Sequence, residues 1–598
     1  TTGAENNLSE IIEKLPGVEI SASGQLTVNG KTVQKLLIDG EELFKNQHRT
    51  TTQSITSDMV EGIRYLDKFK DFGNISGFDN NQVRALDVSI KDQYKNKITG
   101  DIKMSGGIKD KFLGHTNLYR LGGKFKIGLI GDWNNIGNQS ITSYEYDQLV
   151  QTKKEDFSNL GGYNKFSNNI PPSFFSSTLD ISERENMFGA LSLIYKPSDN
   201  FKTSLLNVTS NTNQKQRILL SRDFFQSATS SQTELRNLNS KFFLNTSILE
   251  IGYQPNSQSF FNYIVSYNPN NSDESFLINN SSQNNSFDIF QNFENNGYTF
   301  NQQLSYAGKL SSSTLIQLSG ISEINNSDNN SLIISDVPFL NLSFDDEYKI
   351  VQRQNHRIST YGYELSTNTK LKNSNLRFKQ GYIFSKDKFE NNESDILLFN
   401  NNIVTDRADS YLELMYDGMI SKKIKYNIGA QYRHILLYRF EEVFEKYYIL
   451  PSAGLEYKIS RTKQIGLSYN YDFDISKSKQ LNDSPYIKDY FRLQIESDLL
   501  PDLFLPHHSI TANFVNFNAL TGSNFILFTN YSFKPEFITL NSSLDSDNVI
   551  NLQNISGNDQ HRFITGVRIN YLLRKLKLNI FTNSDLFFNR EENRINNE

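Results

Sequence analysis

Residues Leu8 to Phe44 read LSEIIEKLPGVEISASGQLTVNGKTVQKLLIDGEELF and predict a small α+β unit near the N-terminus. Four apolar residues from Leu8 to Leu15 recur at helical spacing, and Pro16-Gly17 ends the predicted helix. Asn29-Gly30 lies between two short apolar runs and predicts a β-hairpin, because both residues of a type I′ turn need positive φ. Asp39-Gly40 predicts a second turn.

The unit continues beyond this stretch with alternating short elements. We expect a short helix at Thr56–Gly62, a strand at Ile63–Phe69, a turn-rich segment at Asp71–Gln82 and a strand at Val83–Ile90. Residues 1 to about 95 should therefore contain two or three short helices and four or five strands.

Composition excludes several classes of function. The chain of 598 residues has no cysteine, so it has no disulfide framework and no thiol chemistry. Its formal net charge of −5 is too weak to predict a nucleic-acid partner. Tyrosine (30) and phenylalanine (44) are frequent, as is asparagine, and the Asn/Ser-rich runs at Asn268–Ser286 and Asn325–Ser331 are interpreted as long polar loops between β-strands.

From Lys97 onward the hydrophobic pattern has a period of two. In Ala453–Ser460, Thr462–Phe473 and Lys425–Phe440, apolar and aromatic residues alternate with polar and charged ones. A soluble β-sandwich also alternates, so the pattern of connections has to decide between the two folds.

Nine short turns recur along this region, and each interval between them holds a strand, a polar segment and a returning strand. Tight connections on one rim and long ones on the other are typical of an outer-membrane β-barrel. The predicted turns are Gly122–Lys124, Pro197–Asn200, Pro255–Gln258, Lys309–Ser312, Lys372–Ser374, Ser421–Lys423, Ser460–Lys463, Ala519–Ser523 and Leu572–Lys575.

The turn count predicts the size of the barrel. Nine turns join about eighteen strands, and Leu576–Phe587 adds a nineteenth. Single-chain barrels normally have an even number of strands, so we expect an antiparallel up-and-down transmembrane β-barrel of about 22 strands, with about 19 in this sequence and the last ones lacking. A lumen of that size needs a plug. We therefore predict a plug domain at residues 1–95, inside a barrel at residues 96–598.

The N-terminal unit also resembles a known family. The runs SEIIEKLPGVEI, VNGK, KLLIDGEELF and MVEGIRYLDKF resemble the plug of the TonB-dependent receptor superfamily, in particular the outer-membrane β-barrel proteins abundant in Bacteroidota. Ser497–Asn513 resembles the Asn-Pro-x-Leu-x-Pro segment of that family. Leu499, Pro501, Leu503 and Pro506 keep its spacing, whereas its Asn and Glu positions do not match.

The resemblance implies a protein of the cell outer membrane that imports a ligand through a plugged barrel, with membrane lipid and TonB as partners. No TonB box is recognisable before Leu8. The alternative is therefore a non-transporting subunit of an outer-membrane machine for secretion or barrel assembly, with other outer-membrane proteins or surface lipoproteins as partners. A soluble adhesin-like β protein is a third hypothesis.

Candidate chemical sites are few, and we expect no enzyme, no cofactor, no catalytic residue and no metal site; ligand-binding residues are unknown. His507 and His508 are adjacent, so their side chains should point to opposite faces of a strand and not share a metal ion. Glu41 and Glu42 beside Asp39 are interpreted as a solvated turn and not as an acidic site. Asp71–Asn81 has the acids of a calcium loop without its spacing.

Two further groups of residues have candidate roles. The lumen-facing charges Arg433, Lys458 and Asp472 could anchor the plug or contact substrate, and anchoring is favoured because a buried charge needs a partner. Aromatic residues of the predicted long loops could stack on a ligand or on a partner protein, or pack loop against loop, and packing is favoured. They are Tyr144, Tyr146, Phe174, Phe175, Phe287, Phe290 and Phe293.

Overall fold

The fold is seen in a computed structural model of the whole chain. It describes residues 5–15, 18–20, 26–28, 31–45, 48–70, 72–73, 75, 83–139, 181–223, 231–282, 286–340, 342, 348–393, 399–439, 441–499, 504–518, 523–545, 549–573, 576 and 578–595. Among these residues, no helix is both long enough and apolar enough to cross a membrane.

Short elements near the N-terminus are followed by strands of up to 26 residues. The helices are α1 (Leu8–Glu13) and α2 (His48–Ser54), with 3-10 turns at Ser57–Met59, Asp92–Tyr94 and Ser478–Leu481. The first strands are β1 (Val18–Ile20), β2 (Leu26–Val28), β3 (Lys31–Thr32), β4 (Lys35–Ile38), β5 (Val60–Leu66) and β6 (Ala85–Ile90). The later strands are β7 (Ile98–Gly106), β8 (Phe112–Arg120), β9 (Phe125–Asn134), β10 (Glu183–Ser198), β11 (Phe201–Asp223), β12 (Ser231–Asn256), β13 (Ser259–Ser282), β14 (Ser286–Lys309), β15 (Thr314–Ser335), β16 (Lys349–Lys370), β17 (Ser374–Glu393), β18 (Asn401–Ser421), β19 (Ile424–Arg439), β20 (Glu442–Lys458), β21 (Lys463–Ile475), β22 (Tyr486–Asp489), β23 (Arg492–Gln494), β24 (Phe504–Asn518), β25 (Ser523–Leu544), β26 (Ile550–Leu573), β27 (Leu578–Arg590) and β28 (Arg594–Ile595).

The N-terminal unit contains two small sheets. One has the antiparallel order β1-β2-β3, and the other has the order β4-β6-β5, in which β4 pairs parallel to β6. The predicted first helix is confirmed as α1, and its N-cap Asn7 accepts a hydrogen bond from the backbone of Glu10 at 3.1 Å. The predicted hairpin is confirmed by the register pair Val28–Lys31, which leaves two residues for the turn.

Three local predictions for this unit differ from the structure. The apolar run Val33–Ile38 was expected to be the second arm of the hairpin, but that arm is β3, and Lys35–Ile38 forms β4 in the other sheet. The helix expected at Thr56–Gly62 is only the 3-10 turn Ser57–Met59, because β5 begins at Val60. Helix α2 was not predicted, since its sequence HRTTTQS has weak helix propensity. Five of its seven residues are buried, so tertiary packing stabilises this helix where local preference does not.

The remaining strands form a closed barrel whose order follows the chain from β7 to β28. Nineteen of them have nine or more residues, and antiparallel registers join these nineteen without interruption, with β21 pairing directly to β24. The other three, β22, β23 and β28, have two to four residues. The predicted plugged barrel with about nineteen strands in this sequence is thus confirmed, while the expectation of further strands stays a prediction.

Seven of the nine predicted tight turns join consecutive strands at the expected positions on one rim of the barrel. The turns predicted at Ala519–Ser523 and Leu572–Lys575 lie largely outside the described residues. Connections on the opposite rim vary widely, from a turn between Arg439 and Glu442 to the segment between Asn134 and Glu183.

The polar runs predicted to be loops are mostly strand. Asn325–Ser331 lies inside β15, and most of Asn268–Ser286 lies in β13. A tilted membrane strand needs only about ten residues, so strands of 20 to 26 residues continue the wall well beyond a bilayer. Asn and Ser suit that part of the wall because neighbouring strands satisfy the backbone, and side chains such as Asn271 and Asn296 (2.6 Å) pair across the ladder.

The outer face of the wall is apolar in a band next to the tight-turn rim. Large apolar side chains are exposed there on successive strands, where they would contact lipid acyl chains. Examples are Leu129, Leu249, Tyr253, Phe261, Leu304, Leu318, Tyr363, Phe378, Leu414, Ile428, Leu455 and Leu467.

Candidate functional site: two closures of the lumen

The N-terminal unit packs against the inner face of β8 to β13. On β10, Phe188, Ala190 and Ile194 are buried in the same apolar cluster as residues of the N-terminal unit. The intervening residues Met187 and Tyr195 are 62% and 42% exposed on the outside. Because alternate residues of a strand face opposite sides, the unit lies in the lumen, and we call its described part, residues 5–95, the plug.

The plug contributes large side chains to this shared core. Phe44 lies edge-on to Tyr119 of β8, with ring centroids 6.3 Å apart. Farther along, the ring of Phe72 meets Phe260 of β13 at 5.8 Å. Both contacts bury apolar area that would otherwise face water in the lumen, which stabilises the plug in place.

Ion pairs join the plug to the wall around this core. Lys45 contacts Glu250 of β12 at 3.1 Å, and Lys202 of β11 contacts Glu41. All four side chains are less than 20% exposed, so these pairs are screened less than surface pairs. They fix the direction in which the plug faces the wall.

The turn at Asp39-Gly40 presents the acidic residues. Asp39 and Gly40 have φ of 47° and 77°, and Asp87 accepts a hydrogen bond from the Gly40 backbone at 2.9 Å. Lys126 of β9 donates to the Asp39 carbonyl at 3.1 Å, and Glu42 pairs with Lys35 at 3.4 Å. The interpretation of Glu41 and Glu42 as a solvated turn was wrong, because the wall lysines and the plug itself partner these groups.

His48 is buried in the plug at the start of α2. Neither of its ring nitrogens has a hydrogen-bond partner, and burial lowers the pKa of His48 from 6.5 to about 4. The ring is therefore neutral near pH 7, and acid would have to charge it inside an apolar environment.

The lumen charges predicted to anchor the plug have other partners. Arg433 pairs with Asp409 of the adjacent strand and lies 5.0 Å from the centroid of the Phe473 ring. Lys458 is near Glu456 at 3.8 Å, and Asp472 accepts a hydrogen bond from the Phe473 backbone. In the described part of the chain these contacts link the wall to itself, because β19 to β21 lie beyond the strands that hold the plug.

A second closure comes from the long connection between β21 and β24. Residues 476–499, which we call the mouth loop, leave the wall on the rim opposite the tight turns, contain the short strands β22 and β23, and contact the inner side of β12, β16, β18 and β19. At one end Tyr490 donates to Glu234 of β12 at 2.8 Å. At the other, Arg439 of β19 donates to Asp483 at 2.6 Å, so the loop connects distant strands of the wall.

Buried amide side chains of the wall bind the backbone of the mouth loop. Gln352 of β16 donates to the carbonyl of Ile487 at 2.9 Å and accepts from its N–H at 2.8 Å. Asn401 of β18 donates to the carbonyl of Ser484 at 2.9 Å and accepts from its N–H at 2.9 Å. Both amides are 3% exposed, and the backbone of the loop satisfies them, with Asp483 adding a second N–H to Asn401 at 3.1 Å.

The mouth loop also carries a buried cation. Lys479 donates to Gln354 at 3.3 Å and lies over the rings of Phe389 and Tyr486 at 5.6 and 5.8 Å. Burial, followed by the positive charge of Lys488, lowers the pKa of Lys479 to about 8. Closing the loop therefore places a charge where the ammonium is poorly solvated.

The remaining candidates are dispersed. His507 lies 3.9 Å from Asp474, whereas His508 faces the other side and stacks on Tyr471 at 4.7 Å. Phe287, Phe290 and Phe293 belong to β14, not to a loop, and Phe293 packs on Phe276 at 5.9 Å. Tyr144, Tyr146, Phe174 and Phe175, like most of Asp71–Asn81, lie outside the described residues. Within the described ranges, no cluster of three or more His, Asp or Glu could hold a metal ion.

Paired antiparallel strands, an apolar outer band and an internal domain define a plugged β-barrel of the outer-membrane type. No protein-family model matches the chain. No curated protein matches it either.

Solved structures with a similar course of the chain include three receptors. The ferric enterobactin receptor PfeA of Pseudomonas aeruginosa is 11% identical, with a TM-score of 0.46 over 98% of this chain and 77% of that one. The alcaligin receptor FauA of Bordetella pertussis is 12% identical (TM-score 0.38, 98% and 78%). The ferric preacinetobactin receptor BauA of Acinetobacter baumannii is 10% identical (TM-score 0.36, 97% and 89%). Because these identities and TM-scores are low, function is inferred from this chain's own geometry.

Proposed function

We propose that the protein is a TonB-dependent-receptor-like transporter of the outer membrane, in which residues 1–95 plug a barrel formed by residues 96–598. The observation that carries the proposal is the placement of the plug, whose Glu41 and Lys45 pair with lysine and glutamate side chains of the inner wall. Import would require the plug to move, because the plug packs directly against the inner face of the wall.

The test locks the plug to the wall. Because the chain has no cysteine, Glu41→Cys with Lys202→Cys creates a unique pair that a short bis-maleimide can join. The readout is growth of a strain whose own copy of the gene is deleted and whose growth depends on the variant gene supplied in trans. We expect cross-linking to abolish complementation, and we expect loss of the cell's TonB-type energising protein to do the same.

A matched control joins two strands of the wall. Ser410→Cys with His434→Cys lies directly opposite on β18 and β19, so cross-linking there leaves the plug free. Complementation that survives the plug cross-link, or that does not need the energising protein, contradicts transport.

The second candidate is a non-transporting subunit of an outer-membrane assembly, with other outer-membrane proteins or surface lipoproteins as partners. The mouth loop favours it, because a second closure held by the chain itself suits a barrel that need not open. Purification in mild detergent tests it: stoichiometric copurification with partners, together with normal complementation by the locked plug, would select this function.

A further inference from the structure

Gln352 and Asn401 bind the backbone of the mouth loop in the way that a binding site would hold the backbone of a polypeptide ligand. Gln352 makes one donated and one accepted hydrogen bond with the backbone of Ile487, and Asn401 does the same with Ser484 while also accepting from the N–H of Asp483. A pair of this kind recognises the backbone and not the side chain, because it binds the N–H and the carbonyl of one residue.

Residues of the wall also contact side chains of the same segment. Tyr486, between the two bound residues, is buried on Phe389 with ring centroids 5.8 Å apart. Tyr490 is buried, donates to Glu234 and accepts from Asn280 at 3.2 Å. Residues 482–490, NDSPYIKDY, thus have two backbone contacts and two aromatic contacts.

We propose that the barrel mouth is a binding site for an extended polypeptide segment, and that residues 482–490 occupy it in cis until such a ligand displaces them. This inference deepens the proposed function by naming the ligand class, and it rests on that function only for the direction of transport. An extended segment of another protein would present the same backbone N–H and carbonyl groups to the site.

The site is emptied by replacing residues 482–490 with a Gly/Ser linker of equal length in the full chain. The probe is a fluorescent peptide of sequence NDSPYIKDY, and heat-modifiable migration on a gel reports that the barrel is folded. We expect saturable binding to the linker variant and at least tenfold weaker binding to the unmodified protein, whose site is occupied.

Two changes test the backbone contacts separately. Gln352→Leu in the linker variant should weaken peptide binding about tenfold, because it removes both hydrogen bonds to Ile487. N-methylation of the peptide at Ile487 should also weaken binding, because it removes the N–H that Gln352 accepts from. N-methylation at Lys488 is the matched control, since the wall contacts described above do not use its backbone. It should leave affinity unchanged.

Three outcomes would overturn the inference. They are no saturable binding to the folded linker variant, equal binding of both N-methylated peptides, and displacement of the peptide by maltohexaose, which would show a carbohydrate site. Where the linker variant does not fold, Gln352→Leu in the unmodified chain must instead speed hydrogen exchange of residues 482–490 about tenfold. If the peptide binds but the cross-linked plug still complements the deletion strain, the proposed transport function is contradicted while the peptide-binding site stands.

Discussion

The plug and the mouth loop close the same lumen by different chemistry. Charged side chains and an apolar core hold the plug, as Lys202 with Glu41 and Phe44 with Tyr119 illustrate. The mouth loop also has an ion pair, Arg439 with Asp483, but what distinguishes it from the plug is the set of side-chain amides that bind its backbone, as Gln352 with Ile487 illustrates. Ion pairs of long side chains tolerate small shifts of the plug, whereas the amide pairs require one register of the loop. The plug is therefore a domain that can move as a unit, and the mouth loop is a segment that another polypeptide segment can replace.

Breaking an ion pair of the plug should have the largest effect. Lys202→Met leaves the Glu41 carboxylate, which is 15% exposed, without its ion pair. We expect the plug to lose about 3 kcal/mol of stability, since removing one partner of a buried pair leaves an uncompensated charge. Hydrogen exchange of residues 35–44, followed by mass spectrometry, measures the loss.

The double variant Lys202→Met/Glu41→Gln is the control, because it removes both charges. Most of the stability should return. Equal exchange in the single and the double variant would mean that the pair does not hold the plug.

Acid should weaken the plug through His48. Its folded pKa of about 4 lies below the ordinary 6.5, so the unfolded plug binds more protons between these values, and stability falls as pH falls from 6.5 towards 4. Between pH 7 and 4.5 the loss is about 2.5 kcal/mol by linkage. Urea unfolding of the plug at both pH values tests this, and His48→Leu should flatten the dependence. An unchanged pH dependence in that variant would assign acid sensitivity to other groups.

The two closures also differ in how far the sequence predicts them. Helix α1, the Val28–Lys31 hairpin and the nineteen long strands follow from local signals: apolar spacing, an Asn-Gly turn and a period of two. The mouth loop has no such signal. Tyr490 and its partner Glu234 are 256 residues apart, and the segment NDSPYIKDY has the composition of an ordinary polar loop. Which wall residues meet it depends on barrel closure, which no local pattern encodes.

Side-chain contacts at the end of the mouth loop should contribute less than the plug ion pairs. Tyr490→Phe keeps the buried ring and removes the hydrogen bonds to Glu234 and Asn280. The closed loop should lose about 1.5 kcal/mol. Amide exchange of residues 482–490 should quicken about tenfold, while Tyr253→Phe, on the exposed outer face, should leave it unchanged. Unchanged exchange in Tyr490→Phe would mean that its hydroxyl does not hold the loop shut.

The smallest effect is expected from pH at the mouth loop, and it has the same sign as at the plug but a higher pH range, because both closures are stabilised as pH rises. Closing the loop lowers the pKa of Lys479 from 10.5 to about 8, so the open loop binds more protons at pH 8 to 10.5. Raising the pH from 7 to 9 should therefore stabilise the closed loop about tenfold, or about 1.3 kcal/mol. Lys479→Met keeps the contact with Phe389 and removes the charge, so it should exchange slowly at both pH values once the intrinsic pH dependence of exchange is corrected. Lys422→Met, on the tight-turn rim, is the control. If Lys479→Met opens the loop instead, the ammonium contributes more through Gln354 and the two rings than its burial costs, and the mouth loop would then share with the plug a dependence on charge.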